Sequence, residues 1–162
     1  MSSVATPTNI AADPPASQPT IQTLNIRKEV LIQAPIDIAW ESLLEEMGPE
    51  SEMPDGTKFP RVLEAFPGGR WYRDTGKDTG HLWGHVQVIK PPKVLELVGP
   101  TMMSYPAISH IQYRLVEQAD GTLLKFTHQA IGLIEASLQQ EVSKGWDEML
   151  SHIRTAAEKK RG

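Results

Sequence analysis

The 162-residue chain contains no cysteine. This absence excludes disulfides, thiolate zinc sites and cysteine nucleophiles. It is consistent with a reducing compartment, and we predict a cytoplasmic protein.

The sequence also lacks an excess of basic residues and long apolar runs. Its 16 Lys and Arg residues are outnumbered by 20 Asp and Glu residues, and the formal net charge is −4. Binding of nucleic-acid phosphates needs clustered cations, so we predict no nucleic-acid partner. No apolar run approaches the ~20 residues of a membrane helix, and the N-terminus does not resemble a signal peptide. We therefore predict no membrane partner.

The first 20 residues have almost no large apolar side chains. The stretch "MSSVATPTNIAADPPASQPT" contains four prolines and a single acid, Asp13. Such a composition cannot build a core. We predict a disordered tail over 1–20 and one folded domain over 21–162.

The folded domain begins with a strand and a helix. Apolar and polar residues alternate in "LNIRKEVLIQAP", as in a half-buried strand. Apolar residues then recur at helical spacing from Ile36 to Met47, and Gly48-Pro49 ends the helix. The polar loop that follows continues an acidic stretch, Glu41–Asp55, with six acids and no base. This stretch is either a solvated surface or a docking patch for a basic partner.

About six antiparallel strands follow in a meander. The predicted strands are "RVLEAFP", "RWYRDT", "HLWGHVQVIK", "KVLELVG", "HIQYRLVEQ" and "TLLKFTHQA". Pro91-Pro92 predicts a tight turn, and Asp120-Gly121 between alternating runs predicts a hairpin.

The chain ends in its longest predicted helix, which begins near Ser137. Ser137 and Gln140 are spaced as in a capping box. Seven apolar residues form one wide stripe: Leu138, Val142, Trp146, Met149, Leu150, Ile153 and Ala157. A stripe of this width needs the face of a curved sheet, and a sheet curved around one helix tends to leave a ligand cavity between them.

Five segments, "EVLIQAPIDIAWESL", "FPGGRW", "GHVQVIKPPKVLEL", "DGTLLKFTHQ" and "KGWDEMLSHI", together resemble the SRPBCC superfamily of START-like and birch-allergen-like domains. The resemblance covers nearly all of residues 24–158. It is strongest to the branch named after the activator of the heat-shock protein 90 ATPase. It implies an α+β helix-grip fold, in which a curved antiparallel sheet of six to seven strands wraps around the C-terminal helix. It also implies two short helices after the first strand, the second around Pro49–Met53.

The histidines of "HLWGH" raise the question of a metal site. In a strand, His81 and His85 lie about 13 Å apart at ~3.3 Å per residue. Zinc needs its nitrogen ligands at about 2.0–2.1 Å, so one ion cannot bind both residues. We predict no metal and no cofactor.

The inward face of this strand is not settled by apolarity. One face carries Leu82, Val86 and Val88, and the other carries Trp83, His85 and Ile89. Similar sequences are often acidic at the position of Val88 and apolar at that of Ile89. This comparison favours Trp83, His85 and Ile89 toward the cavity.

We predict a ligand pocket lined by Trp40, Leu44, Trp71, Arg73, Trp83, His85, Met103, Tyr105, Tyr113, Phe126, His128 and Trp146. Several have a simpler interpretation: Trp146 as core, Arg73 as a rim residue reaching solvent, and Met103 with Tyr105 as a lid or a plug. His128 follows the alternation of Leu124 and Phe126, which point inward. It is either a satisfied interior histidine or a proton carrier, and it is the best catalytic candidate.

Three functions follow from the resemblance. The first is binding of a small hydrophobic or aromatic molecule without catalysis. The second is an enzyme of the polyketide cyclase, dehydratase or hydrolase type in the same cavity. The third is a co-chaperone-like interaction module, with the acidic stretch as its local support. Edge strands and the exposed side of the helix also offer surfaces for a homodimer.

Overall fold

The structure is a computed structural model that describes residues 5, 11–12, 20–101 and 104–162. Most of the predicted tail, and Met103 of the predicted pocket, lie outside the described residues. The disordered tail therefore stays a prediction. Among the described residues, no helix combines the length and hydropathy needed to cross a membrane.

Seven strands form one curved antiparallel sheet. The elements in chain order are β1 (Gln22–Ile32), α1 (Ile36–Glu46), β2 (Val62–Leu63), β3 (Arg70–Gly76), β4 (Thr79–Lys90), β5 (Val94–Gly99), β6 (Ala107–Gln118), β7 (Gly121–Gly132) and α2 (Leu138–Arg161). The strand order is β1-β7-β6-β5-β4-β3-β2, so the meander is sequential and β1 joins it beside β7. The predicted helix-grip class is confirmed.

The core lies between the inner face of the sheet and the two helices. Alternation places Leu24, Ile26 and Ile32 of β1 inside, while Leu31 is exposed. The inner face meets α2, whose Leu150 and Ile153 are fully buried. The apolar pattern in the sequence therefore specified this packing directly.

One short helix, not two, follows β1. Residues 47–50 form turns, and the segment beyond them folds back on itself through an isolated bridge between Glu52 and Lys58. The backbone N–H of Phe59 donates to the carbonyl of Ser51 at 2.8 Å. A tight Pro54-Asp55-Gly56 turn disfavours helix there. The second helix implied by the resemblance is thus absent from these described residues.

Helix α2 is anchored at its C-terminal end rather than by a cap at its start. Ser137 has helical dihedral angles and makes no side-chain capping bond, so the predicted capping box does not form. At the other end, Lys160 Nζ lies 2.6 Å from a Glu45 carboxylate oxygen, and Arg161 donates to the Gln33 carbonyl at 2.6 Å. The first part of α2, residues 138–145, is exposed or half-buried.

Candidate ligand-binding site

A cavity of ≈340 Å³ lies along the N-terminal half of α2. Loop residues 52–54, Thr101 and Ser104 line its sides, and Arg61 and His128 contribute to its wall. The apolar stripe of α2 is fully buried from Trp146 onward, whereas Leu138 and Val142 are half-buried and line the cavity. The helix therefore presents part of its apolar stripe to open space.

Gly145 helps to keep this space open. It lies in α2 and lines the cavity, and a Cβ atom added to it would meet no atom within 4 Å. Glycine inside a helix costs roughly 0.5–1 kcal/mol relative to alanine. Glycine is therefore not sterically required at this position, although it makes the helix less stable than alanine would. The absence of a side chain leaves more space in the cavity.

His128 of β7 is completely buried and hydrogen-bonded through both ring nitrogens. The Trp146 indole Nε1–H donates to Nδ1 at 2.9 Å, and Nε2 lies 2.9 Å from the Ser109 hydroxyl oxygen. Because Nδ1 accepts, the neutral ring carries its proton on Nε2 and donates it to Ser109. Burial lowers the pKa of His128 to about 4. The ring is thus neutral at pH 7 and fixed in one tautomer.

This geometry limits what His128 can do chemically. To accept a proton from a ligand, Nδ1 would first have to lose its bond from Trp146. His128 forms part of the cavity wall and holds the Trp146 indole at 5.6 Å between ring centroids, in an edge-on contact. Its interpretation as a satisfied interior histidine accounts for every contact that the structure gives it.

Arg61 is a wall residue that the sequence analysis did not single out. Its side chain is only 7% exposed, and it lies immediately before β2. The guanidinium carbon lies 5.3 Å from the ring centroids of Phe59 and Trp83 and 6.0 Å from that of Trp71. Such cation–π contacts offset part of the cost of burying a cation. The sequence "FPRVLEAF" shows only one arginine at the start of a predicted strand, which carries no signal of burial.

Arg61 has no carboxylate within ion-pair distance among the described residues. Among these residues its side chain makes one hydrogen-bond contact, from Nη1 to the Met149 sulfur at 4.0 Å, and Nε has no partner. Burial lowers the pKa of the guanidinium, while Glu46 opposes that shift. Glu46, itself 6% exposed, lies 3.3 Å from His152 Nδ1, and burial raises the pKa of this carboxyl. The cavity wall thus contains a buried cation without a close anion.

Of the eleven predicted pocket residues that the structure describes, three line this cavity: Tyr105, His128 and Trp146. Five aromatic residues instead pack inside the core: Trp40, Trp71, Trp83, Tyr113 and Phe126. Leu44 is half-buried against the same core. Their burial shows where they lie, and a ligand-binding role for any of the twelve stays a prediction.

The core aromatic residues nevertheless support the cavity. The Tyr113 hydroxyl donates to the sulfur of Met47 at 3.2 Å, and burial raises the pKa of this phenol above its usual range. The Trp71 indole N–H donates to the Met47 carbonyl at 2.9 Å. Phe126 packs 4.5 Å from Trp146 between ring centroids. These contacts hold in place the core residues against which the cavity residues pack.

His85 was predicted to face the interior, but it lies on the exposed face of β4. Trp71 of β3 pairs with Gly84 and Tyr72 pairs with Leu82, so Trp83 is the additional residue of a β-bulge. A bulge shifts the alternation by one residue. Trp83 is therefore buried, His85 is exposed, and Val86 is buried again. Trp83 thus faces the interior but lies in the core rather than in the cavity lining, and the inward orientation predicted for His85 is wrong.

Arg73 lies outside the cavity lining. It is half-buried, and its guanidinium carbon lies 3.4 Å from the centroid of the Phe59 ring. Phe59 in turn stacks on Trp83 at 6.2 Å. Arg73 therefore covers the aromatic cluster from its solvent side. This position is close to the simpler interpretation given above, in which Arg73 is a rim residue that reaches solvent.

The sequence model of the family described as "Activator of Hsp90 ATPase homolog 1-like protein" matches residues 39–158. No curated protein matches the chain.

Several solved structures share the fold. An uncharacterised protein from Rhizobium leguminosarum is 18% identical, with a TM-score of 0.64, over 86% of this chain and 97% of that one. CalU16 from Micromonospora echinospora is 21% identical, with a TM-score of 0.56, over 85% and 76%. The di-domain ARO/CYC StfQ from the steffimycin biosynthetic pathway is 12% identical, with a TM-score of 0.60, over 85% of this chain and 51% of that one. At these identities the likeness concerns the fold alone.

Proposed function

The chain belongs to the activator of Hsp90 ATPase homolog 1-like family, within the SRPBCC superfamily, and we propose that it binds one small, largely apolar ligand in the cavity beside α2. The observation that carries the proposal is the ≈340 Å³ space along the half-buried part of the α2 stripe. Ligand pockets in proteins commonly measure about 300–1,000 Å³. The cavity volume therefore suits a small molecule rather than a long lipid chain.

The lining supports an apolar ligand. Leu138, Val142 and Trp146 provide aliphatic and aromatic surface on one side. Removing such surface from water favours binding by about 25 cal/mol per Å². Gly145 supports the same function, because the helix omits a side chain where one would fit.

The hydrogen bonds of His128 favour binding over catalysis. An enzyme of the polyketide cyclase type in this cavity would need a group that exchanges protons with the substrate. His128, the best sequence candidate, has both nitrogens engaged by Trp146 and Ser109. A catalytic role would require that pair of hydrogen bonds to open.

The ion pairs of the acidic stretch argue against a docking surface for a basic partner. Glu45 lies 2.6 Å from Lys160, and Lys58 lies within 3.3 Å of both Glu50 and Glu52. Several of the acids thus have partners within the chain. We rank the co-chaperone-like role below ligand binding.

The test of the proposed function uses two substitutions of Gly145. Gly145→Phe fills the cavity, and Gly145→Ala is the matched control because it adds one methyl group. We expect the neutral fluorescent probe N-phenylnaphthylamine to bind the wild-type protein and the alanine variant, and not the phenylalanine variant. Equal binding to all three proteins would place the apolar site elsewhere and contradict the proposal. Native mass spectrometry of the protein from its own host would identify the natural ligand class.

A further inference from the structure

Arg61 is the one residue of the cavity wall whose burial is not explained by its partners within the described chain. The residue is only 7% exposed, and its Nε has no hydrogen-bond partner among the described residues. Buried charges in proteins are ordinarily paired, because the loss of hydration must be compensated. The three aromatic rings around the guanidinium compensate for it only in part.

One candidate counter-ion is already engaged. Glu46 acts to raise the pKa of Arg61, yet its carboxylate contacts His152 at 3.3 Å and forms no ion pair with the guanidinium. Met149, the hydrogen-bond contact of Arg61, also lines the cavity. The guanidinium therefore lies where a bound molecule can reach it.

We propose that Arg61 recognises an acid group, and that the ligand is a small apolar carboxylic acid whose carboxylate pairs with this guanidinium. The inference rests on the proposed function, since it assigns the polar end of the same ligand. Arginine presents planar paired donors that match the two oxygens of a carboxylate. The apolar body of the ligand would lie against Trp146, Leu138 and Val142.

The charges of the cavity lining favour a ligand with a single negative charge over one with two. Glu52, Glu141 and Glu148 line the cavity alongside Arg61. Only Glu52 among these three has an ion-pair partner, Lys58 at 3.1 Å, within the described residues. These carboxylates would repel a phosphate dianion more strongly than a ligand with one negative charge. A single carboxylate can be neutralised by one arginine.

The experiment compares naphthoate with its neutral isostere naphthamide by isothermal titration calorimetry. We expect the wild-type protein to bind naphthoate at least tenfold more tightly than naphthamide. Arg61→Met should remove that difference by lowering the affinity for naphthoate to about that for naphthamide. The matched control is Arg114→Met, which removes an exposed arginine of β6 and should leave both affinities unchanged.

The possible results separate the inference from the proposed function. Equal affinities for the two compounds in the wild-type protein, unaltered by Arg61→Met, would overturn the role of Arg61 while leaving an apolar site. No binding of either compound would overturn both. If Arg61→Met does not fold, the role of Arg61 is tested by the wild-type preference for naphthoate over naphthamide and by Arg61→Lys. The lysine variant keeps the positive charge and should keep this preference. Tighter binding of naphthyl phosphate than of naphthoate would overturn the assignment to a carboxylic acid.

Discussion

The indole nitrogen of Trp146 on α2 donates a hydrogen bond to Nδ1 of His128 on β7, at 2.9 Å. This bond joins the C-terminal helix to the sheet at the wall of the cavity. It also requires His128 to be neutral, because a protonated ring has no free acceptor at Nδ1.

The first prediction concerns stability at acidic pH. His128 has a pKa of about 4 in the folded protein against 6.5 for the ordinary side chain. Between these values the unfolded chain binds a proton that the folded protein does not. The contribution of neutral His128 is thus fully present above pH 6.5 and is lost as pH falls toward 4. At 1.36 kcal/mol per pKa unit, the loss amounts to about 3 kcal/mol.

Urea denaturation of wild type and His128→Gln across pH 4–7 measures this loss. We expect the wild type to lose stability relative to the variant as pH falls, since glutamine does not titrate. Carboxyl groups such as Glu46, whose raised pKa acts in the opposite direction, are common to both proteins and cancel. His85→Gln, at an exposed histidine, is the control and should follow the wild type. Parallel curves for wild type and His128→Gln would contradict the assigned ionisation.

The second prediction concerns Gly145. Replacement by alanine should raise the free energy of unfolding by about 0.5–1 kcal/mol, because alanine is the better helix former and its methyl group enters open space. Thermal and urea denaturation measure this change. A loss of stability would show that the space beside Gly145 is filled in the folded protein.

The third prediction concerns the cost of keeping Arg61 buried. Arg61→Met should leave the free energy of unfolding unchanged or raise it by about 1 kcal/mol, because it removes a desolvated cation that has no ion-pair partner among the described residues. Loss of the aromatic contacts works against this gain. Urea denaturation without ligand gives the value. A destabilisation of several kcal/mol would indicate that the guanidinium has a strong partner within the chain.

The fourth prediction tests the bulge in β4. Trp83→Ala should lower the free energy of unfolding by about 3–5 kcal/mol, as is usual when a large buried aromatic side chain is removed. His85→Ala should change stability by less than about 0.5 kcal/mol, because this side chain lies on the exposed face. Comparable costs for the two substitutions would mean that both side chains face inward.

Local sequence patterns predicted most of the fold. Alternation in β7 identified Leu124, Phe126 and His128 as inward residues, because the side-chain period of a strand follows directly from its backbone. The apolar stripe of α2 predicted its burial against the sheet for the same kind of reason. The resemblance added the topology, and it also implied a second short helix after α1 that is absent from the described residues.

The site was less predictable, since it depends on residues brought together from distant parts of the chain. His128 was identified from alternation in β7, but its partners Trp146 and Ser109 belong to other elements. His85 was misassigned because a bulge changes the alternation of β4, and a bulge depends on how β3 pairs with β4. Arg61 was missed because nothing beside it in the sequence indicates burial.

The sequence by itself determined the succession of strands and helices along the chain and the amphipathic C-terminal helix, because these follow from periodicities within single segments. Only the tertiary structure decided which aromatic residues fill the core and which side chains face open space. It also placed Arg61 and His128 on the same cavity wall. Those properties depend on register, bulges and packing between segments, and the physical interactions that set them act across the fold rather than along the chain.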